Sequence, residues 1–329
     1  MATIKDVAKL AGTSTATISR FINKSGYVNE ATQKRIELAI KELNYKPNHY
    51  ARSLSNNKTG LLALIIPDIR NPFFAELSRV IEHQARKENY NIINCNSDND
   101  ILKIRKTFID LEQHVDGIMV VGAVTSYHVK ELSKSKIPFI ILDAYGEGGV
   151  SSVSTDNRYG GKLATLHLIE QGYNRVAHIR GPSEASTAID RYNGYLDALK
   201  EKDITYDPVL IQFGDFQIES GYEAMIRFLA LSHPPDGIFI ANDLMAIGAL
   251  EAVRQHNLKI PDDIGIVGYD NIPLTKVIAP KLTTIQQPIK QIGKKAVENM
   301  LLNIKNSNEE IKNELLPPEI IIRHTSQRL

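Results

Sequence analysis

One cysteine, Cys95, serves the whole chain, so no internal disulfide can form, and this usage suits a reducing compartment. No run of about 18 apolar residues is present, which argues against a bilayer-spanning helix. The opening residues, Met1-Ala2-Thr3-Ile4-Lys5-Asp6, hold neither an apolar stretch nor a small-residue cleavage pattern, so a cytoplasmic protein without a secretory signal is expected. Catalytic signatures are missing too. There is no Gly-x-Gly-x-x-Gly after a strand, no P-loop, no Gly-x-Ser-x-Gly elbow and no metal-spaced cluster among the nine histidines. These absences argue against an enzyme, a metal site, a cofactor and a membrane partner.

What is present is unevenly spread. The chain has 329 residues, too many for one compact core and suited to a small domain plus a larger one. Its net charge is +1, yet residues 1–60 hold ten Lys and Arg against four acidic side chains, and the rest holds 29 basic against 34 acidic. A basic head on a mildly acidic body fits a head that meets a polyanion; chance clustering on a solvated surface fits the charge equally well.

The head reads as three short helices. Thr3 caps the first, with Asp6 placed to complete a capping box, and Ile4, Val7, Ala8 and Ala11 share one face. Gly12 breaks that helix. Ser14 caps a second, with Ile18, Phe21 and Ile22 apolar, and Asn29 caps a third carrying Ile36, Ala39, Ile40 and Leu43. Pro47 closes the unit, because the residue before proline avoids helical geometry. His49–Leu54 reads as a fourth, very short helix capped by Asn48, and polar residues follow to Gly60. The expected boundaries are 1–46 for the head, 47–60 for hinge and linker, and 61–329 for the large domain.

Beyond residue 60, apolar runs alternate with amphipathic helical stretches. The runs are Leu61–Ile66, Asn91–Cys95, Gly117–Val121, Pro138–Leu142, Val176–Ile179, Val209–Phe213, Gly237–Ala241 and Ile264–Gly268. Between them lie helices such as Glu76–Glu88, Lys162–Gln171, Arg191–Lys202 and Met245–His256. Continuous apolar strands alternating with helices mean parallel sheets covered on both faces. One large sheet, a barrel or two Rossmann-like lobes all satisfy this pattern.

In a helix-turn-helix the second helix enters the major groove, N-terminal residues first. Here Thr15 and Ala16 form its small tip, with Thr17 and Arg20 one turn on. Small tip residues fit a groove ~12 Å wide, and Arg can fork onto guanine or clamp a phosphate. Ser14, Thr32 and free amides at helix starts are natural phosphate contacts. The same spacing also describes surface residues of an ordinary helical bundle.

The motifs narrow the choice. Thr3-Ile4-Lys5-Asp6-Val7-Ala8, Ala11-Gly12-Thr13-Ser14, Thr17-Ile18-Ser19-Arg20, Leu43-Asn44-Tyr45-Lys46-Pro47-Asn48 and Ala51-Arg52-Ser53-Leu54 resemble the head of the lactose/galactose repressor family. The resemblance continues through Asn71-Pro72-Phe73-Phe74, Ala241-Asn242-Asp243, Val267-Gly268-Tyr269-Asp270 and Leu282-Thr283-Thr284-Ile285. It implies an all-α helix-turn-helix head on an α/β core of periplasmic-binding-protein type, with two Rossmann-like lobes, three crossovers and a ligand cleft between them. It implies a homodimer on palindromic double-stranded operator DNA, acting as a transcription regulator, in most readings a repressor. The implied DNA contacts are Thr3, Ser14, Thr15, Ala16, Thr17, Arg20, Asn23, Thr32, Asn48, Ala51 and Leu54, with Leu54 as the hinge leucine that wedges into the minor groove. A six-residue helix is marginal alone, and apolar wedges kink DNA, which suits that role.

For the cleft, the resemblance implies a small-molecule effector, ribose or another small sugar. The positions similar to ribose-binding pockets are Asn71, Phe73, Phe74, Asp143, Asn157, Arg191, Phe216, Asn242, Asp270 and Gln287. Most stand at strand C-terminal ends, where open α/β sheets bind ligands. Each has a plainer reading: Phe73 and Phe74 as core, the strand-end Asn and Asp as helix caps, Arg191 as a surface ion pair. One departure is Ala144, where ribose pockets carry Arg. Phe73-Phe74 and Gly214-Asp215-Phe216-Gln217 also resemble purine-repressor clefts. A purine effector, or a protein corepressor seated around Asp68 to Arg86, is the alternative. A transport binding protein would share the cleft but not the basic head.

Base readout is testable through Arg20. Arg20→Ala is expected to cost ~1–3 kcal/mol per half-site and to relax specificity at one symmetric position. Operator-variant titrations check this, and a uniform loss across all variants would make Arg20 a phosphate clamp.

Overall fold

The computed structural model describes residues 2–23, 25–45, 58–122, 126–144, 149–305 and 312–328. The chain divides into two compact units, Met1–Gly60 and Leu61–Leu329. The expected hinge helix, with Asn48, Ala51 and Leu54, lies outside the described residues.

The head holds helices α1 (Ile4–Ala11), α2 (Thr15–Asn23) and α3 (Glu30–Glu42). Thr3 and Asp6 form the capping box, and Gly12 ends α1 in the left-handed region at φ 61°, where a Cβ is costly. Asn29 caps α3 by accepting the Thr32 amide at 2.8 Å. Val7, Ala8, Ala11, Ile18, Val28, Ile36 and Ala39 make the core, with Phe21, Ile22, Ile40 and Leu43 packed around it.

The large unit is two lobes, each a six-stranded sheet covered by helices on both faces. The first lobe uses β1 (Leu61–Ile66), β2 (Asn91–Asn96), β3 (Gly117–Val121), β4 (Phe139–Leu142), β5 (Ser152–Thr155) and β11 (Asn313–Leu316). Their order is β11-β5-β4-β3-β1-β2, and all pairs are parallel. The second uses β6 (Val176–Arg180), β7 (Ile211–Phe213), β8 (Gly237–Ile240), β9 (Gly265–Asp270), β10 (Thr283–Gln286) and β12 (Glu319–Ile321), in the order β12-β10-β9-β8-β6-β7. There only β10–β12 is antiparallel. Helices α4 (Pro72–Lys87), α5 (Ile101–Leu111), α6 (Ser126–Leu132) and α11 (Ile289–Lys305) belong to the first lobe. Helices α7 (Asn157–Glu170), α8 (Ser186–Glu201), α9 (Ile218–Leu229) and α10 (Asp243–Gln255) belong to the second. Each sheet face buries its own apolar cluster.

The chain passes between lobes three times: after β5, after β10, and between β11 and β12. This settles the alternation as two lobes. Four strands escape the sequence pattern. β5 is Ser-Val-Ser-Thr and β10 is Thr-Thr-Ile-Gln, both too polar to read as buried apolar runs, and β11 and β12 are short. Helices also begin earlier than periodicity suggests, three of them at side-chain caps from Asn71, Asp156 and Asn242. α8 starts at Ser186 without a side-chain cap, so Arg191 sits inside it rather than opening it. The Val209–Phe213 run begins as a 3-10 turn, Pro208–Leu210, before the strand.

Two glycines let α7 and α8 cross almost backbone to backbone. A Cβ on Gly161 would stand 2.2 Å from the Arg191 carbonyl oxygen, and one on Gly194 would stand 2.0 Å from that of Arg158. Overpacking of this kind costs ~1–3 kcal/mol or more. Gly194→Ala is therefore expected to lower Tm by several degrees, at ~2–4 °C per kcal/mol for a domain of this size. Thermal unfolding measures it, and an unchanged Tm would mean the helices separate freely.

Candidate functional site

In the head, Ser14, Thr15, Ala16 and Arg20 are exposed on α2 and its entry. Ser14 Oγ accepts the Thr17 amide at 3.1 Å and shares a hydrogen bond with its hydroxyl at 2.9 Å, so both side chains also fix the helix start. Thr3 is exposed, with its hydroxyl donating to Asp6, and the hydrogen bonds from Thr3 hold the Asp6 carboxyl below its ordinary range. Thr32 is buried, with its amide donating to Asn29 Oδ1 and its hydroxyl accepting from Arg35 at 3.2 Å. Asn23 ends α2, and its side chain lies outside the described residues.

In the large unit, five buried side chains form a closed polar ring where two crossovers meet the second lobe. Thr155 Oγ1 donates to Gln287 Oε1 at 2.6 Å. Gln287 Nε2 donates to Asp270 Oδ1 at 2.7 Å. The same oxygen faces Arg191 Nη2 at 3.8 Å. Arg191 Nε donates to Asn157 Oδ1 at 2.8 Å, and Asn157 Nδ2 returns to the Thr155 carbonyl at 3.1 Å. Arg191 is 3% exposed, so its charge must be met inside the protein. Its Nη1 donates to the Ala241 carbonyl at 2.6 Å, and its guanidinium lies 3.7 Å from the Tyr269 ring centroid.

Carboxyl groups converge on this guanidinium. Burial pushes Asp270 up to about 6, against the pull of Arg191 and the Gln287 hydrogen bond. Burial pushes Asp143 up to about 7, opposed by Arg191 and reinforced by Asp270. Asp143 Oδ1 is buried without a hydrogen-bond partner, an unfilled demand at the end of β4. Asp243, missed by the sequence reading, is buried at the start of α10. It accepts from Thr284 Oγ1 at 2.6 Å and from the Ile272 amide at 2.9 Å, and burial raises its pKa well above the usual range. It thereby anchors the loop that carries Asp270. Arg323 grips the same loop, donating to Asn271 Oδ1 at 2.6 Å.

Backbone strain collects in the same region. Asp143 (φ 54°), Phe216 (φ 70°), Asp270 (φ 110°) and Asn271 (φ 55°) all have positive φ. Such conformations persist where the surroundings over-determine them, often at ligand sites.

The other expected residues divide. Asn71 and Asn242 act as helix caps, accepting the Phe73 and Met245 amides at 3.0 Å and 2.9 Å, while Asn242 Nδ2 donates to the Phe216 carbonyl at 3.0 Å. Phe73 is buried in the first-lobe core, so it is no open stacking platform; Phe74 is half-buried and edge-on to it at 5.2 Å. Phe216 is partly buried against the second-lobe core, over Gly181. Ala144 is buried in the outer core of the first lobe. Among the described residues no group of three or more His, Cys, Asp or Glu could hold a metal ion, and no helix is long and apolar enough to cross a membrane.

A helix-turn-helix head and a two-lobed core with a polar junction define a DNA-binding transcription regulator of the effector-controlled kind. The family described as "Bacterial regulatory proteins, lacI family" matches residues 3–48, and a "Periplasmic binding protein-like domain" matches residues 165–326. The chain is 39% identical to the ribose operon repressor of Halalkalibacterium halodurans, over 99% of this chain and 98% of that protein. It is 38% identical to the HTH-type transcriptional repressor PurR of Aliivibrio salmonicida, over the full length of both. Among solved structures, a lac repressor dimer bound to operator and the anti-inducer ONPF is similar at a TM-score of 0.92 and 25% identity, covering 99% of each chain. A LacI family regulator from Enterococcus faecium with bound ribose is similar at a TM-score of 0.73 and 31% identity, covering 82% of this chain and 99% of that one. The chain belongs to the LacI family of transcriptional regulators.

The raised carboxyls give a pH dependence. A folded pKa above the unfolded value of about 3.9 means folding favours the protonated acid. That stability is full below about pH 4 and is lost as pH rises through about 6 for Asp270 and about 7 for Asp143. Asp143→Asn is therefore expected to flatten the fall in Tm between pH 5 and about pH 8. Thermal unfolding of the ligand-free chain measures it, and a slope equal to wild type would mean Asp143 ionises as if in water.

Proposed function

We propose that this LacI-family regulator represses a sugar-utilisation operon, reads a palindromic operator as a homodimer, and has its operator affinity set by a small sugar of the ribose type. The observation that carries the reading is the buried polar junction. Arg191, Asp270, Asn157 and Gln287 are held in fixed orientations there, and Asp143 brings an unpartnered buried oxygen. Bidentate amide, guanidinium and carboxylate groups are what a polyol needs, and Phe216, whose carbonyl accepts from Asn242, is the candidate stacking ring. The ribose operon repressor relative and the ribose-bound regulator support the sugar. The lac repressor dimer on its operator supports the dimer.

In this reading Thr15, Ala16 and Arg20 meet base edges, while Thr3, Ser14, Thr17 and Asn23 meet the backbone. Asn48, Ala51 and Leu54, outside the described residues, are read as further operator contacts. Asn71, Phe74 and Asn242 shape the cleft walls, and Phe73 backs them from the core. The protein works as a regulator in the cytoplasm and not as an enzyme.

A thermal-shift series with D-ribose, other pentoses and hexoses, and purine bases tests the effector. A ligand at 100 times its Kd adds ~2.7 kcal/mol of stability. Ribose is expected to raise Tm, and Arg191→Ala or Asp270→Ala to abolish the rise while basal operator binding stays nearly intact. Stabilisation by a purine base and by no sugar would overturn the sugar reading.

A further inference from the structure

Thr155 has no role in the readings above. It ends β5, where the chain leaves the first lobe, and Gln287 stands just past β10, where the chain returns. Both residues are buried, at 1% and 3% exposure. Their 2.6 Å hydrogen bond thus joins two of the three crossovers through side chains. An amide has one accepting end and one donating end. With Gln287 Oε1 held by the Thr155 hydroxyl, Nε2 is the end that meets Asp270 Oδ1. A flipped amide would set its oxygen against the carboxylate, two acceptors facing each other in a buried space.

We propose that Thr155 is a positioning residue for the effector site: by holding the Gln287 amide across two crossovers, it keeps Asp270 a hydrogen-bond acceptor for the ligand's hydroxyls. The ligand part of this rests on the sugar reading above; the orientation of Gln287 and the state of Asp270 do not. The charged and titratable groups around Asp270 are Arg191 from α8, Tyr269 beside it on β9, Asp143 from the end of β4, and Asp243 at the start of α10 with Arg323 beside it. None of these touches Thr155 in the ring, so removing its hydroxyl acts on Asp270 through Gln287. Loss of an oriented donor disfavours the ionised carboxylate and extends the range over which folding favours the proton.

The test uses the full chain with Thr155→Val, and Thr155→Ser as the variant that restores the hydroxyl. Thr155→Ala stands in for the valine should that variant not fold. The first readout needs no ligand. In Thr155→Val the fall in Tm with rising pH is expected to extend upward by about half a pH unit or more. Thr155→Ser should overlay wild type, and the Val effect should vanish in an Asp270→Asn background. The second readout is D-ribose titration calorimetry, where Thr155→Val is expected to weaken binding about tenfold and Thr155→Ser to stay within about threefold of wild type. An unchanged pH profile in Thr155→Val, or a shift that persists with Asp270→Asn, overturns the proposal. Wild-type protein that ignores ribose overturns the sugar reading instead, and the ligand-free profile still decides the case of Thr155.

Discussion

Everything at the lobe junction depends on one guanidinium taken out of water. A buried charge costs several kcal/mol unless it is paired and hydrogen-bonded. Arg191 is met by an amide oxygen, a backbone carbonyl, a carboxylate and an aromatic face. The four partners come from three elements: Asn157 from α7, Ala241 from the end of β8, Asp270 and Tyr269 from β9. Moving any of these elements uncovers part of the charge. The guanidinium therefore fixes the relative placement of three second-lobe elements at the point where the first lobe joins.

The backbone is shaped to allow this. Arg191 reaches Asn157 because α7 and α8 touch through Gly161 and Gly194, where any side chain would collide with a carbonyl. Asp270 faces inward because its loop is bent through positive φ and pinned by Asp243 on one side and Arg323 on the other. Strain of this order, ~1–3 kcal/mol per residue, needs such pins to persist. Asp243 is thus one layer removed from the cleft, yet the direction of the Asp270 side chain depends on it.

Part of this was legible in the sequence. The caps of α1 and α3 were readable because Thr3, Asp6 and Asn29 act within three residues of themselves. The apolar strands were readable because a strand buried on both faces is apolar at every position, as Gly117–Val121 and Phe139–Leu142 are. β5 was not, since Ser152 and Thr155 are buried through hydrogen bonds to residues more than a hundred positions away, Asn313 and Gln287. Periodicity sees no such partner. Phe73 shows the opposite case. Motif resemblance places it at the pocket, while its position in the first turn of a capped helix directs it into the core. Arg191 could be read from sequence as a surface ion pair; the helix crossing beside it is set by two glycines, Gly161 and Gly194, that lie far apart in sequence. Resemblance carried the candidate site further than spacing, and it stopped where partners lie one layer behind the motif, at Thr155 and Asp243.

The ring also bears on how occupancy of the cleft can be felt elsewhere. An effector changes an equilibrium only through different affinities for two arrangements. The ring contains the residues a sugar would touch, Asn157, Arg191 and Asp270. It also contains the two residues that mark the crossovers, Thr155 and Gln287. A ligand hydroxyl that competes for Asp270 Oδ1 or for the Gln287 amide alters a bond that ties one crossover to the other. Lobe rotation must pass through those crossovers, because the chain connects the lobes nowhere else than there and between β11 and β12. A coupling of ~1–3 kcal/mol changes an affinity by 5–150-fold. That is about the worth of one or two buried hydrogen bonds exchanged at this junction. The side chains proposed to meet the effector and the crossover residues are therefore linked in one network of hydrogen bonds and one ion pair, and a few exchanged contacts would suffice in energy to couple them.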